Sequence, residues 1–209
     1  MEKRLIYKIV CMLIMLQTFA VGNTITAKGL TAKQVLDKTA AVITYKNGVS
    51  ANFTISNTKM GTSKGVIYVK GNKWHAKIPA GLVWYDGMTQ WTYVKANEEV
   101  NVTTPTKEQQ SAYNPYSFIY LYKKGYKCSL SEKGNTYVVT MIGQNSKKGI
   151  GEMIVVIDKA TFTPTKLKMC QGETWTDIVI SGFKKGNFSD AMFRFNSKDY
   201  PKAELIDLR

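Results

Sequence analysis

The chain holds one histidine, His75, and three cysteines, Cys11, Cys128 and Cys170, so side chains suited to nucleophilic or metal chemistry are few. His75 lies in the run Trp74-His75-Ala76-Lys77-Ile78. Strand alternation there puts Trp74, Ala76 and Ile78 on one face and His75 with Lys77 on the other. That pattern predicts a surface histidine rather than a catalytic base. A zinc site would need a second imidazole or a thiolate pair at ligand spacing, and neither is present. A serine hydrolase would need a nucleophile elbow to present its serine, and none is found. The obvious carboxylate pair, Glu98-Glu99, is adjacent and would face opposite sides of a strand, a poor arrangement for glycoside hydrolysis. The residues therefore predict a protein that is not an enzyme and carries no metal or cofactor.

Charge narrows the partners. Basic residues outnumber acidic ones 29 to 15, and only three of the 29 are arginine (Arg4, Arg194, Arg209). Nucleic-acid readers rely on arginine for bidentate contacts, so no nucleic-acid partner is expected. The lysine excess reads as a solvated surface that favours anionic membranes or acidic partners.

The first 22 residues read as an export signal. Lys3, Arg4 and Lys8 precede the 13-residue apolar run Ile9–Val21. That run is too short for a hydrocarbon core needing about 20 residues, but it suits the apolar centre of a signal peptide. Ala20 and Gly22 fit the small positions before a cut at Asn23; a cut after Ala27 or an uncleaved anchor are the alternatives. The expected organisation is a signal peptide over 1–22 and a single soluble domain over 23–209, placed in the periplasm. Cys128 and Cys170 would then meet oxidising conditions. They fall, however, on the first and fourth strands of an expected meander. Three strand spacings give about 14 Å, against a Cα separation of roughly 7 Å at most for a disulfide.

The elements that must position any site begin with a helix. Thr31 and Gln34 form a capping box, Leu30 can staple to Val35, and Leu36, Ala40 and Ile43 make an apolar row before Asn47-Gly48 stops it near Thr44. Period-2 patterning follows over Val49–Ile55, Gly65–Lys70, Lys73–Ile78, Leu82–Tyr85, Gln90–Val94 and Glu99–Thr104. Asn114-Pro115 then opens an aromatic helix to about Gly125. Strands resume at Tyr126–Leu130, Thr136–Ile142, Glu152–Ile157, Lys166–Cys170, Thr174–Ser181 and Ala191–Phe195. An all-β barrel or strongly curved antiparallel sheet with helices packed on it fits this order.

Two strands, "VIYV" (66–69) and "MIVVI" (153–157), are apolar on both sides. Both faces must be covered, or one must line a cavity. Trp74, Trp84, Trp91, Tyr68 and Tyr93 with the aromatic helix would either line a pocket or fill a solid core.

The block Trp84–Tyr126 carries Asp86-Gly87, Thr89, Trp91, Tyr93, Glu99-Val100, Pro105 and Asn114-Pro115 in sequence. In that order and spacing it resembles the LolA-like periplasmic carriers of outer-membrane lipoproteins. "VLDKTAAVITYKNGVSANFTIS" upstream and "AMFRFNSKDYPKAELIDLR" downstream extend the resemblance over most of residues 30–209, toward a divergent LolA-like branch. It implies an incomplete antiparallel β-barrel, a strongly curved sheet of about 11–12 strands, with a helical lid over a hydrophobic cavity. It also implies a monomeric, non-enzymatic carrier of acylated lipoproteins. Such a carrier would load at an inner-membrane lipoprotein-releasing ABC transporter and deliver to an outer-membrane acceptor that the sequence does not name. Other classes compatible with the residues are a binding protein or sensor for another lipid or glycolipid, and a structural envelope protein. The family's latching arginine aligns with Gly71, so a lid here would be held mainly by apolar contacts.

The cavity so implied is expected to be lined by Phe53, Tyr68, Trp74, Ile78, Trp84, Trp91 and Tyr93 on the earlier strands. Phe118, Ile119 and Tyr122 would cover it from the lid. Met141, Met153, Val155, Leu167, Met169, Ile178 and Ile180 would complete it on the later strands, with methionine suited to chains of varying length.

Export is directly checkable. The mass of protein recovered from a periplasmic fraction should correspond to a chain starting at or near Asn23, and full-length protein found only in membranes would overturn this reading.

Overall fold

Twelve strands hydrogen-bond into one sheet, and their order accounts for its open shape. The computed structural model describes residues 29–59, 61–106, 121–123, 125–144 and 149–209. Helix α1 (Ala32–Ile43) precedes β1 (Val49–Asn57), β2 (Gly61–Lys70), β3 (Lys73–Ile78), β4 (Gly81–Tyr85), β5 (Gln90–Val94) and β6 (Glu99–Thr103). Then come β7 (Tyr126–Lys133), β8 (Thr136–Gly143), β9 (Ile150–Asp158), β10 (Pro164–Gln171), β11 (Thr174–Lys185) and a short β12 (Glu204–Asp207). In space they run β12-β6-β5-β4-β3-β2-β1-β11-β10-β9-β8-β7. Two antiparallel meanders, β1–β6 and β7–β11, are thus joined side by side at β1·β11. β12 adds to the free edge of β6 in parallel. β12 and β7 end the sheet without meeting, so it curves but does not close into a barrel.

Short turns enforce this local pairing. Gly87, in the β4–β5 turn, holds φ of 104° beside Asp86, whose Oδ1 accepts from the Met88 and Thr89 amides. At the seam, β11 bulges against β1, with Gly182 and Phe183 opposing the single residue Ala51 and Gly182 at φ of 60°. A bulge strengthens local twist, which a sheet this wide needs in order to curl.

α1 begins as its sequence predicts. The Thr31 side chain accepts from the Gln34 amide at 3.2 Å, and the Gln34 side chain accepts from the Thr31 amide at 2.8 Å. Val35, Leu36 and Ile43 are fully buried, and Leu30 packs against the core they belong to. The helix lies over one sheet face at its β7–β8 end.

Two expectations need correction. Ala191–Phe195 is not a strand. Asp190–Phe193 forms a 3₁₀ turn, and the segment runs over the outside of the sheet. Asp190 heads that turn and is gripped by Lys70 and Lys73 at 2.9 and 2.8 Å, which ties the chain down without a ladder. The last strand is instead Glu204–Asp207, whose exposed Glu204, Leu205 and Asp207 hide the usual alternation. The aromatic helix expected from Pro115 lies outside the described residues, apart from Leu121 and Tyr122 at its end.

Thr31→Ala removes the cap and should cost about 1 kcal/mol in denaturant unfolding, with the slope of the transition unchanged.

Candidate functional site

Cross-strand register builds one continuous apolar surface on the face that α1 covers. Ile55 of β1 sits opposite Ile178, Ile178 opposite Leu167, Leu167 opposite Val155, and Val155 opposite Val139. The next row sets Met169, Met153 and Met141 abreast and ends at Cys128. Ile180 pairs with Phe53 across the seam. All seven residues expected on the later strands therefore share this inner face, and each is buried in one cluster with α1. Met141, Met153, Val155 and Leu167 have no exposed surface.

The earlier strands divide. Phe53, Trp74 and Ile78 lie on the inner face. The Phe53 ring reaches over Gly65, where an added Cβ would stand 2.7 Å from Phe53 Cζ and 2.9 Å from Ile78 Cγ2. A glycine at 65 is what lets these two side chains meet. Phe53, Ile55, Ala76, Ile78 and Val83 are only half-buried, unlike the tightly packed β8–β11 end. The inner face is thus sealed over β8–β11 and again around Ala51, Ile67, Val69 and Trp74, and partly open around Phe53, Ile55, Ala76 and Ile78.

Tyr68, Trp84, Trp91 and Tyr93 are on the outer face. The β3–β4 hairpin turns on Pro79-Ala80, so Trp74 pairs with Tyr85 and His75 with Trp84. A two-residue loop matches even positions to odd ones, so Trp74 and Trp84 cannot share a side. β5 then carries Trp91 opposite Trp84 and Tyr93 opposite Val100, both outward.

The chain after β11 covers these outward aromatics. Phe188 meets Tyr68 edge-on with centroids 5.3 Å apart, and Phe195 and Tyr200 both meet the Trp84 ring at 5.5 Å. Tyr200 also lies 4.9 Å from Tyr93. The Arg194 guanidinium sits 6.0 Å over Trp91 and 3.4 Å from the Asp86 carboxylate. Phe193 is fully buried. This strap ends on β6 as β12.

His75 is corrected by the same cover. It points outward with Lys77, as the alternation predicts, yet only 3% of it is exposed. Its ring stacks between Trp84 at 5.0 Å and Tyr68 at 5.9 Å, and Nδ1 lies 2.9 Å from the Val83 carbonyl. A carbonyl only accepts, so Nδ1 carries the proton. Burial drives its pKa down to about 4, with Lys77 adding to the fall and the Val83 hydrogen bond opposing it. The imidazole is a neutral packing element.

Of the three residues expected in a lid, Phe118 and Ile119 lie outside the described residues. Tyr122 is buried, and its hydroxyl donates to Asp37 on α1. Burial first and this hydrogen bond second push the Tyr122 pKa upward. A polar tie therefore fastens the chain just before β7 to the helix, beside the mainly apolar contacts expected there. Gly71, at the family's arginine position, forms the β2–β3 turn with φ of 60°. Cys128 faces inward and Cys170 outward, and both are free thiols. Among the described residues no group of three potential metal ligands occurs. Inner-face residues that sequence reasoning passed over include Ile55, Val139 and Ile67. Ile55 and Val139 each stand two positions from one chosen residue and directly opposite another, so strand parity would have found them; Ile67 is opposite Ala51 and Ala76, and choosing its neighbour Tyr68 set the wrong parity for β2.

The sequence model of the family described as outer membrane lipoprotein carrier protein LolA matches residues 22–173. The fold resembles the crystal structure of an uncharacterized conserved protein from Thermus thermophilus, at 12% identity and a TM-score of 0.57, covering 84% of this chain and 98% of that one. It is also similar to a LolA superfamily protein from Nitrosomonas europaea, at 11% identity and a TM-score of 0.45, covering 80% of this chain and 99% of that one. No curated protein matches in sequence. The match at 0.57 shows the fold.

The neutral His75 has a pH consequence. Its folded pKa is depressed, so the unfolded chain takes a proton first as pH falls below about 6.5. Thermal stability should decline between about pH 6.5 and pH 4, and the decline should shrink in His75→Phe. An unchanged profile in that variant would place the acid sensitivity elsewhere.

Proposed function

The chain belongs to the family of the outer membrane lipoprotein carrier protein LolA, and on that premise we propose that it carries lipoprotein acyl chains against its inner sheet face. In this reading residues 1–22 direct export and are removed, and 23–209 form one carrier domain working as a monomer in the periplasm. It takes cargo released by an inner-membrane ABC transporter and gives it up at the outer membrane.

The observation that carries the reading is the continuous inner face from Met141 through Met153 and Leu167 to Phe53, apolar throughout and half-covered at Phe53 and Ile78. An acyl chain in water costs about 0.8 kcal/mol per CH₂, so transit requires an apolar host. The methionine row supplies deformable contacts for chains of different length. The sealed β8–β11 end gives the host a rigid floor. The half-buried residues across the seam give a place where a chain lies down by displacing little packing. Shallow engagement keeps binding reversible, which a carrier needs for delivery.

The test compares the two faces. Phe53→Lys and Ile78→Lys put a charge where an acyl chain would lie, but at half-exposed positions where the lysine head can reach water. Each should weaken binding of a fluorescent fatty-acyl probe at least about tenfold while shifting the melting temperature by about 4 °C or less. Trp91→Leu, on the outer face, should leave probe affinity unchanged. Equal loss in all three variants, or no binding by the unsubstituted protein, would overturn the proposal. Mass spectrometry of material co-purifying from the periplasm then separates lipoprotein cargo from another lipid.

A further inference from the structure

The outer face is treated differently on the two sides of the seam. Over β2–β6 the strap covers much of it. Over β7–β11 apolar side chains meet solvent: Ile142 is 53% exposed, Val179 48% and Trp175 38%. Register makes them neighbours of one surface. Val179 faces Lys166, which faces Val156, and Trp175 faces Cys170 in line with Glu152 and Ile142. Ile142 is in turn opposite Lys127, which is exposed. The hydrophobic residues are therefore interleaved with lysines at strand spacing.

We propose that the outer face of β7–β11 is a docking surface for an anionic lipid bilayer, with Trp175, Ile142 and Val179 entering the headgroup region and Lys127, Lys166 and Lys168 meeting lipid phosphates. Three features favour a bilayer as occupant. The cations are lysines, flexible point charges suited to a fluid array of phosphates rather than to fixed bidentate partners. The apolar members are a tryptophan and aliphatics on a continuous sheet face, the pairing that interfacial anchors use. From Asn23 onward 26 basic residues face 14 acidic ones, a formal charge of +12 that draws the protein toward a negative surface. Lys168 already lies 5.4 Å over the Trp175 ring, so charge and aromatic would arrive together.

Asp177 is built into the same surface and restrains it. Its carboxylate holds Lys166 at 3.2 Å and Lys168 at 3.9 Å. Removing that carboxylate frees two lysines for phosphate. This gives the proposal a variant expected to gain binding, with an unchanged melting transition to show that the fold is intact. The inference goes beyond the acyl-carrier reading and does not depend on it, because it concerns the opposite face.

The experiment is sedimentation of protein starting at Asn23, which keeps every described element, with vesicles of phosphatidylglycerol and phosphatidylethanolamine. Vesicles of phosphatidylcholine alone are the comparison. Binding should require the anionic lipid and weaken as salt rises. Lys166→Gln and Lys168→Gln should each reduce it about fivefold, and Trp175→Ala should reduce it further. Asp177→Asn should strengthen it. Acyl-probe binding measured alongside should be unaffected by all four, so failure here and failure of the carrier reading are separately visible. No vesicle binding, equal binding to phosphatidylcholine, or variants that all bind like the unsubstituted protein would overturn the proposal. So would self-association through this face, seen as a dimer that Val179→Asp dissolves while vesicle binding stays absent.

Discussion

A sheet whose strands are apolar on both sides has to be covered twice, and most of the remaining structure follows from that requirement. β2 and β9 carry Val66–Val69 and Met153–Ile157, with bulky residues in both parities. Leaving either side wet would forfeit about 25 cal/mol for each Å² of apolar surface. α1 supplies the inner cover through Val35, Leu36 and Ile43. The strap supplies part of the outer one through Phe188, Phe193, Phe195 and Tyr200. His75 shows the strength of the constraint: an imidazole beside a lysine is held neutral because the cover above it excludes water.

What was legible in the sequence was local. The capping box at Thr31, the turn glycines and the strand alternation placed α1 and β1–β11 closely, because each depends on residues within a few positions of one another. The later inner face was legible too, since Lys166 and Lys168 had to face water and so fixed the parity of Leu167 and Met169. The earlier strands had no such marker. Trp74 and Trp84 look equivalent in the sequence, and only the two-residue turn at Pro79-Ala80 puts them on opposite sides. The outer aromatics looked like cavity liners because nothing local announces that Phe195 and Tyr200 fold back over them. The burial of His75 was hidden for the same reason. Its neighbour Trp84 is nine positions on, but the cover over that tryptophan lies more than a hundred residues away.

Burial also varies along the inner face in a way composition does not reveal. The row of three methionines and its neighbours are sealed, whereas Phe53 and Ile78 keep water contact over Gly65. Both regions are equally hydrophobic. A face of uniform chemistry thus has a rigid part and an accessible part. An acyl chain needs the second to enter and the first to keep the sheet from collapsing around it.

The two covers are exchanged between the meanders. α1 precedes β1, yet packs at the β7–β8 end of the other meander. The strap follows β11, yet lies across β2–β5 and finishes on β6. Each meander pairs internally through short turns and has little reason to wait for the other. The seam between them, where Asn57 Nδ2 donates to Thr176 Oγ1 across 119 positions, closes the longest loop in the sheet and carries the entropy cost that goes with it. Crossing the covers addresses that cost directly. Seating α1 draws β7–β8 toward the chain leading into β1, and seating the strap draws β2–β6 toward the chain leaving β11. Each cover therefore stabilises β1·β11 as well as the face beneath it. A weakened cover is then felt at the seam, where sealed and open portions of the inner face meet.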